Sequence, residues 1–231
     1  MPRGLFVTGT DTGVGKTLVS RAIVRALLSG GEKVFAAKPF ATGSETGKDG
    51  KSIHPDVALL SEALGGPVWV GYESTHAAAP SMAARWEGAS LEVKTIGQRL
   101  LDAIPADHCA VVEGAGGLLC PVGPGAAVAD LASFLGFPLV VVARCNLGTL
   151  NHTLLTLEVA QNRGLTVAGV VFNQVTPDSG PVEAEVAMEL ARLTRVPVLA
   201  VVPFGDFSGK LLKRVDWCRQ MAARDAPNRG E

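Results

Sequence analysis

The stretch Thr8-Gly9-Thr10-Asp11-Thr12-Gly13-Val14-Gly15-Lys16-Thr17 has the residue types that handle a nucleoside triphosphate. Glycines let a backbone wrap closely around phosphate. N–H groups at the start of a following helix then point inward, helped by the positive end of its dipole. In such a loop Lys16 neutralises the β- and γ-phosphates and the Thr17 hydroxyl ligates Mg²⁺. The common spacing G-x-x-x-x-G-K-[ST] asks for glycine at position 10, but here Gly9 stands one residue earlier. The loop is therefore a longer variant. A Gly-rich turn with a surface lysine is the bland alternative, and the placement between a strand-like and a helix-like run argues against it.

Three other residues fall where they could serve the same site. Glu113 ends an apolar run and opens a second glycine-rich loop, Gly114-Ala115-Gly116-Gly117. In a parallel sheet that puts its carboxylate on the phosphate-loop edge, where it can hold Mg²⁺ or simply cap a helix. Asp56 falls in the first turn of a helix, where the dipole favours an acid in any case. Lys38 follows an apolar run and precedes Pro39. It is either a second cation for a transferring phosphoryl group or a solvated lysine.

The elements that must carry these residues alternate. Strand-like runs cover Gly4–Thr8, Val34–Ala37, Cys109–Val112, Leu139–Ala143, Val167–Phe172 and Val198–Val202. Helical spacing covers Lys16–Leu28, Pro55–Leu64, Leu91–Ile104, Ala127–Leu135, Thr149–Asn162 and Val182–Leu193. Lys38–Ile53 reads as a long polar loop, and Val68–Gly88 as loop with a short helix. The tail from Ser208 looks helical, then charged. The pattern predicts an α/β fold: a doubly wound, mostly parallel sheet flanked by helices, of the P-loop NTPase type, with ligands at the carboxyl ends of the strands. With no linker or repeat, residues 1–231 read as a single domain.

Composition narrows the function classes. The net charge of −1 over 231 residues gives no basic field for nucleic acid. The cysteines Cys109, Cys120, Cys145 and Cys218 form no C-x-x-C pair, and His54, His76, His108 and His152 show no metal spacing. The cysteines read as small buried hydrophobes, the histidines as surface or packing residues with His152 the candidate exception, and Trp69, Trp86 and Trp217 as packing groups rather than a cofactor box. No signal-peptide pattern or spanning helix is visible, so a cytoplasmic protein without membrane contact is expected.

Taken in order, several stretches resemble the dethiobiotin synthetase family. They are Phe6 to Thr17, Lys38-Pro39 with Thr42-Gly43-Ser44-Glu45, Val112 to Gly117, Leu147-Gly148-Thr149-Leu150-Asn151-His152, and Gly169-Val170-Val171-Phe172-Asn173. The longer phosphate loop is itself a feature of that family. The resemblance implies an ATP- and Mg²⁺-dependent ligase of biotin synthesis acting on 7,8-diaminopelargonate and CO₂ or bicarbonate. An amine takes up CO₂ as a carbamate, the carbamate attacks the γ-phosphate, and the second amine closes a cyclic urea. It implies catalytic roles for Lys16, Lys38 and Thr12. Nucleotide contacts fall to Gly13, Val14, Gly15, Lys16, Thr17, Leu18, Asn173 and Pro203. Metal ligation falls to Thr17, Asp56 and Glu113. Substrate contacts fall to Thr42, Gly116, Gly148, Leu150 and Asn151, the last three from the other subunit of a homodimer. Thr42 stands where the family usually has serine. Pro80-Ser81-Met82 stands where many members read Ser-Pro-His, so Met82 is expected to offer an apolar wall.

Three other classes share this architecture. A partner-driven ATPase switch usually carries an additional lysine early in the phosphate loop, and none stands before Lys16 here. The synthetase part of a cobyrinate-type amidotransferase needs a glutaminase region too large for this length. A plain nucleotide-binding module is separated from an enzyme only by assay.

Overall fold

The computed structural model describes residues 2–46, 50, 52–177, 182–206 and 209–222. The elements are β1 (Gly4–Gly9), α1 (Lys16–Ser29), β2 (Val34–Thr42), β3 (Glu45–Thr46), β4 (Ser52–Ile53), α2 (Pro55–Leu64) and β5 (Trp69–Ser74). They continue with α3 (Pro80–Trp86), α4 (Val93–Ala103), β6 (Cys109–Gly117), β7 (Pro121–Gly123), β8 (Ala126–Ala127), α5 (Val128–Leu135) and β9 (Leu139–Arg144). The remainder are α6 (Thr149–Asn162), β10 (Val167–Asn173), α7 (Val182–Leu193), β11 (Val198–Val202), a 3₁₀ turn at Leu212–Arg214 and α8 (Trp217–Met221).

Seven strands form one sheet in the order β11-β10-β9-β1-β6-β2-β5, every pairing parallel. Successive residues of a strand point to opposite faces. Leu5 and Val7 accordingly join one core, with Ile23 and Val24 of α1 and Leu212, Trp217 and Met221 of the tail. Phe6 joins the other, with Leu100 of α4, Leu131 of α5 and Leu190 of α7. A sheet covered on both faces explains why its strands read as unbroken apolar runs.

Several sequence expectations change. β6 runs on through Glu113 to Gly117, so the second glycine-rich stretch is strand rather than loop. β2 runs through Lys38-Pro39 to Thr42 rather than stopping at Ala37. Its ladder with β6 ends at the Ala37–Val112 pair, and its ladder with β5 skips Pro39, so the proline sits where no N–H is required. The expected long loop is thereby shortened to the small β3–β4 hairpin; Lys51 and residues 47–49 lie outside the described set. Trp69–Ser74, within the stretch read as loop, is the edge strand β5. The tail packs as expected over α8, where Trp217 Nε1 donates to the Leu212 carbonyl at 2.8 Å. Ser208 and residues 223–231 of that tail lie outside the described set. Trp86 is not a packing group: it is 53% exposed, its ring tilted against His76.

Leu100 is fully buried in α4, whereas Met188 of α7 is exposed. Leu100→Ala is expected to cost roughly 2–5 kcal/mol in urea unfolding. Met188→Ala is expected to stay within about 0.5 kcal/mol of wild type. Equal midpoints for the two variants would contradict the assignment of that core.

Candidate functional site

The phosphate loop leaves β1 at the centre of the sheet, where the chain winds to either side, and it feeds α1 directly. This is the position at which parallel α/β sheets bind ligands. Gly15 caps α1 at φ 96°, a left-handed conformation that favours glycine, and a Cβ there would come within 2.1 Å of the Asn173 amide nitrogen. A Cβ on Gly9 would press within 2.8 Å of the Asp11 carbonyl oxygen. The loop is therefore tightly closed. Lys16 Nζ donates to the Asp11 carbonyl at 2.9 Å.

Beside it lies a compact charge cluster. Lys38 Nζ donates to Glu113 Oε1 at 2.6 Å, Asp56 Oδ2 at 2.9 Å and the Gly114 carbonyl at 3.3 Å. The Thr17 hydroxyl is 2.8 Å from Asp56 Oδ1 and 2.9 Å from Glu113 Oε1. Lys38 and Glu113 are buried, whereas the Asp56 side chain is half exposed. Burial pulls the Lys16 ammonium below its ordinary value, and the neighbouring Lys38 charge adds to the effect. Burial would lower Lys38 too, but the Glu113 and Asp56 carboxylates outweigh it and hold that ammonium above its ordinary value. Burial would raise Asp56, but Lys38 and the Thr17 hydrogen bond hold its carboxyl below the usual range.

Among the described residues no three His, Cys, Asp or Glu side chains are grouped to hold a metal alone. What the cluster offers is a hydroxyl and two carboxylates, all hard oxygen. Glu113 Oε2 is buried with no hydrogen-bond partner among the described residues. An orphaned carboxylate oxygen beside a phosphate loop fits Mg²⁺, which needs few protein ligands when phosphates supply others.

A cleft of about 620 Å³ joins these groups to an apolar wall. It is lined by Thr12, Gly13, Gly15, Lys16, Thr17, Lys38, Thr42, Asp56 and Gly116 from the sequence prediction. Phe40, Cys120 and the run Ala77–Pro80 line it as well and were not anticipated. Met82 is not among the lining residues: it lies within α3, 39% exposed, and its expected place is taken by Ala77–Pro80. A short apolar run between strand and helix carries no chemical signature, which is why sequence reading passed it over. Arg144 was also missed. At the end of β9 it donates to the Thr12 carbonyl at 2.7 Å and tethers the extended limb of the loop.

The remaining predicted residues lie elsewhere. Asn173 is buried, its amide donating to the Val14 carbonyl at 3.0 Å. It pairs in register with Val202, which brings it and the exposed Pro203 to the same sheet edge. Val14 is buried in the core, so only its backbone can meet a ligand, and Leu18 is partly buried against that core. Gly148, which caps α6 at φ 90°, and Asn151 are exposed, and Leu150 packs against the core. None of the three lines the cleft of its own chain. The histidines form no metal site among the described residues; His152 lines a second, smaller cleft of about 380 Å³ that also includes Thr12 and Gly116.

A family model described as an AAA domain matches residues 3–208. The chain is 45% identical over 207 residues to the ATP-dependent dethiobiotin synthetase of Anaeromyxobacter dehalogenans, covering 87% of this chain and 90% of that protein. It is 35% identical to the enzyme of the same name from Yersinia pestis, covering 88% of this chain and 86% of that one. Among solved structures, the cell division ATPase MinD of Pyrococcus furiosus shares the fold, with a TM-score of 0.55, 20% identity and 97% of both chains covered. No helix among the described residues is long and apolar enough to cross a membrane.

The charge cluster generates two expectations for the nucleotide-free protein. Lys38→Met leaves the Glu113 carboxylate buried without its cation. It should lower unfolding free energy by roughly 3–5 kcal/mol in urea, and adding Glu113→Gln should recover most of the loss. Because the Asp56 carboxyl is depressed when folded, its stabilisation is present above about pH 3.8 and is lost as pH falls through its lowered folded-state value. Asp56→Asn should flatten that acid limb in pH-dependent melts, and an unchanged limb would contradict the pairing.

Proposed function

The chain belongs to the dethiobiotin synthetase family, and from that membership we propose how its own residues carry out the ATP-dependent ring closure of biotin synthesis. The observation that carries the reading is the convergence of Lys16, Lys38, Thr17 and Asp56 in one cleft with an apolar wall, with the buried Glu113 carboxylate bonded to Lys38 and Thr17 behind them.

ATP lies with its phosphates along Gly13 to Thr17, where backbone N–H groups and the start of α1 favour negative charge. Leu18 contributes its backbone, and Asn173 and Pro203 read the nucleobase at the neighbouring sheet edge. The diamine chain of 7,8-diaminopelargonate lies against Phe40 and Ala77–Pro80. One amine and CO₂ form a carbamate, held between Lys16 and Lys38 with hydrogen bonds from Thr12 and Thr42 and contact at Gly116. A carbamate oxygen attacks the γ-phosphorus and ADP departs. The second amine then attacks the carbonyl carbon of the mixed anhydride, phosphate leaves, and the cyclic urea closes.

Two ammonium groups spread over the transferring phosphoryl charge do most of the work, because the transition state is anionic and the site is preorganised. Burial lowers the Lys16 pKa, and an anion beside it acts in the opposite direction, favouring the ammonium. Thr17, Asp56 and Glu113 would hold Mg²⁺, which supplies charge neutralisation of the phosphates when bound. The substrate carboxylate would rest on exposed N–H groups at Gly148–Asn151 of a second copy, since these lie outside their own chain's cleft. The protein is thus read as a single domain working as a homodimer.

The test is a product assay with 7,8-diaminopelargonate, bicarbonate and MgATP, read by mass spectrometry beside phosphate release. Dethiobiotin is expected in step with phosphate, and neither without the diamine. Lys16→Ala is expected to lower the rate by at least about 10³-fold while leaving the far-ultraviolet circular dichroism unchanged. ATP hydrolysis without dethiobiotin would instead support a switch-type ATPase.

A further inference from the structure

A second polar cluster stands outside the charge site, on the edge strand β5. Tyr72 and Ser74 are two residues apart and so share a face of the sheet. The Tyr72 hydroxyl donates to Glu87 Oε2 at 2.7 Å and the Ser74 hydroxyl donates to Glu87 Oε1 at 2.5 Å. Both oxygens of one carboxylate are thereby engaged. Glu87 directly follows α3, and its N–H bonds the carbonyls of Ala83 and Ala84. The carboxylate therefore fastens the far end of α3 to the strand that leads into it.

Between the two fastened points the chain passes through Ala77–Pro80, the apolar wall of the cleft. The near limb is tied to β2, since the N–H groups of Gly43 and Ser44 donate to the carbonyls of Ser74 and Thr75. Ser74 is itself buried and accepts the His76 N–H at 3.2 Å. The catalytic scheme uses none of Tyr72, Ser74 or Glu87. Glu87 is exposed, its side chain 32% accessible with Oε1 3.3 Å from His76 Nδ1, so its charge by itself would contribute little. A carboxylate gripped by two hydroxyls in charge-assisted bonds is a fixed point.

We propose that Glu87 is a positioning residue: held by Tyr72 and Ser74, it sets the Ala77–Pro80 wall and through it the affinity for the apolar chain of the diamine substrate. This rests on the substrate reading above. The effect is one of ordering. Without the clamp, the wall must be fixed when the substrate binds, and that entropy is taken from binding. The phosphate loop lies on the other side of the cleft and is held independently, through Asn173 and Arg144.

The experiment compares Glu87→Ala with Glu87→Gln. A glutamine amide accepts from one hydroxyl and donates to the other, so it keeps the clamp without the charge. Glu87→Ala is expected to raise KM for the diamine on the order of tenfold, the loss of about one charge-assisted hydrogen bond. KM for MgATP and kcat are expected to stay within about twofold, and Glu87→Gln to restore the diamine KM to within about threefold. An unchanged diamine KM in Glu87→Ala would overturn the proposal. So would a glutamine variant as weak as alanine, because direct attraction between carboxylate and substrate amine would then explain the loss. Amide hydrogen exchange of residues 75–79 in the ligand-free protein is the second readout. Exchange should quicken in Glu87→Ala and not in Glu87→Gln, and no difference between wild type and alanine would refute the clamp. If the wild-type protein makes no dethiobiotin, the reaction assignment fails, and the exchange comparison still decides the clamp on its own.

Discussion

A buried ammonium between two carboxylates is the constraint around which this molecule is arranged. Lys38 is shut away from water, and an isolated charge there would be prohibitively costly. Glu113 and Asp56 make its position tolerable, and they must come from different elements to do so. One sits within β6 and the other in the first turn of α2, while Lys38 itself lies within β2. The cluster thus ties two strands and a helix to the phosphate loop, because Thr17 at the start of α1 is within hydrogen-bond reach of both carboxylates.

Such a cluster is held short of full satisfaction. Glu113 Oε2 has no partner among the described residues, and the Lys16 ammonium reaches back to a loop carbonyl. Buried polar groups left partly unpaired cost stability and recur where a ligand completes them. The same charges that hold the site together are the ones a transferring phosphoryl group would require. Structure and catalysis therefore draw on one set of side chains, and the remainder of the cleft is free to be apolar.

The surrounding framework keeps two limbs still. Arg144 and Asn173 hold the phosphate loop from β9 and β10. The Tyr72–Ser74–Glu87 cluster holds the opposite wall from β5. Neither set touches the charge cluster. Positioning is thus divided between a polar side, where electrostatics dominate, and an apolar side, where shape does.

The sequence alone determined the alternation of strands and helices, since unbroken apolar runs and 3.6-residue spacing are local properties. The helices Pro55–Leu64, Thr149–Asn162 and Val182–Leu193 and the strand Val198–Val202 fall where their spacing placed them. It also determined the phosphate loop, whose glycines and Lys16-Thr17 are consecutive. What it left open was every feature made by residues distant in the chain. As a bare residue Lys38 read more readily as a solvated lysine, because its partners stand 18 and 75 residues away. Pro39 appeared to end a strand because the split between two ladders is invisible in one dimension. β5 and the Ala77–Pro80 wall were unreadable, because an edge strand next to small apolar residues has neither a strong period nor a reactive group. Tertiary structure decided these points for one physical reason. Burial and charge pairing depend on which elements become neighbours, and in a parallel sheet neighbours are seldom consecutive in the chain.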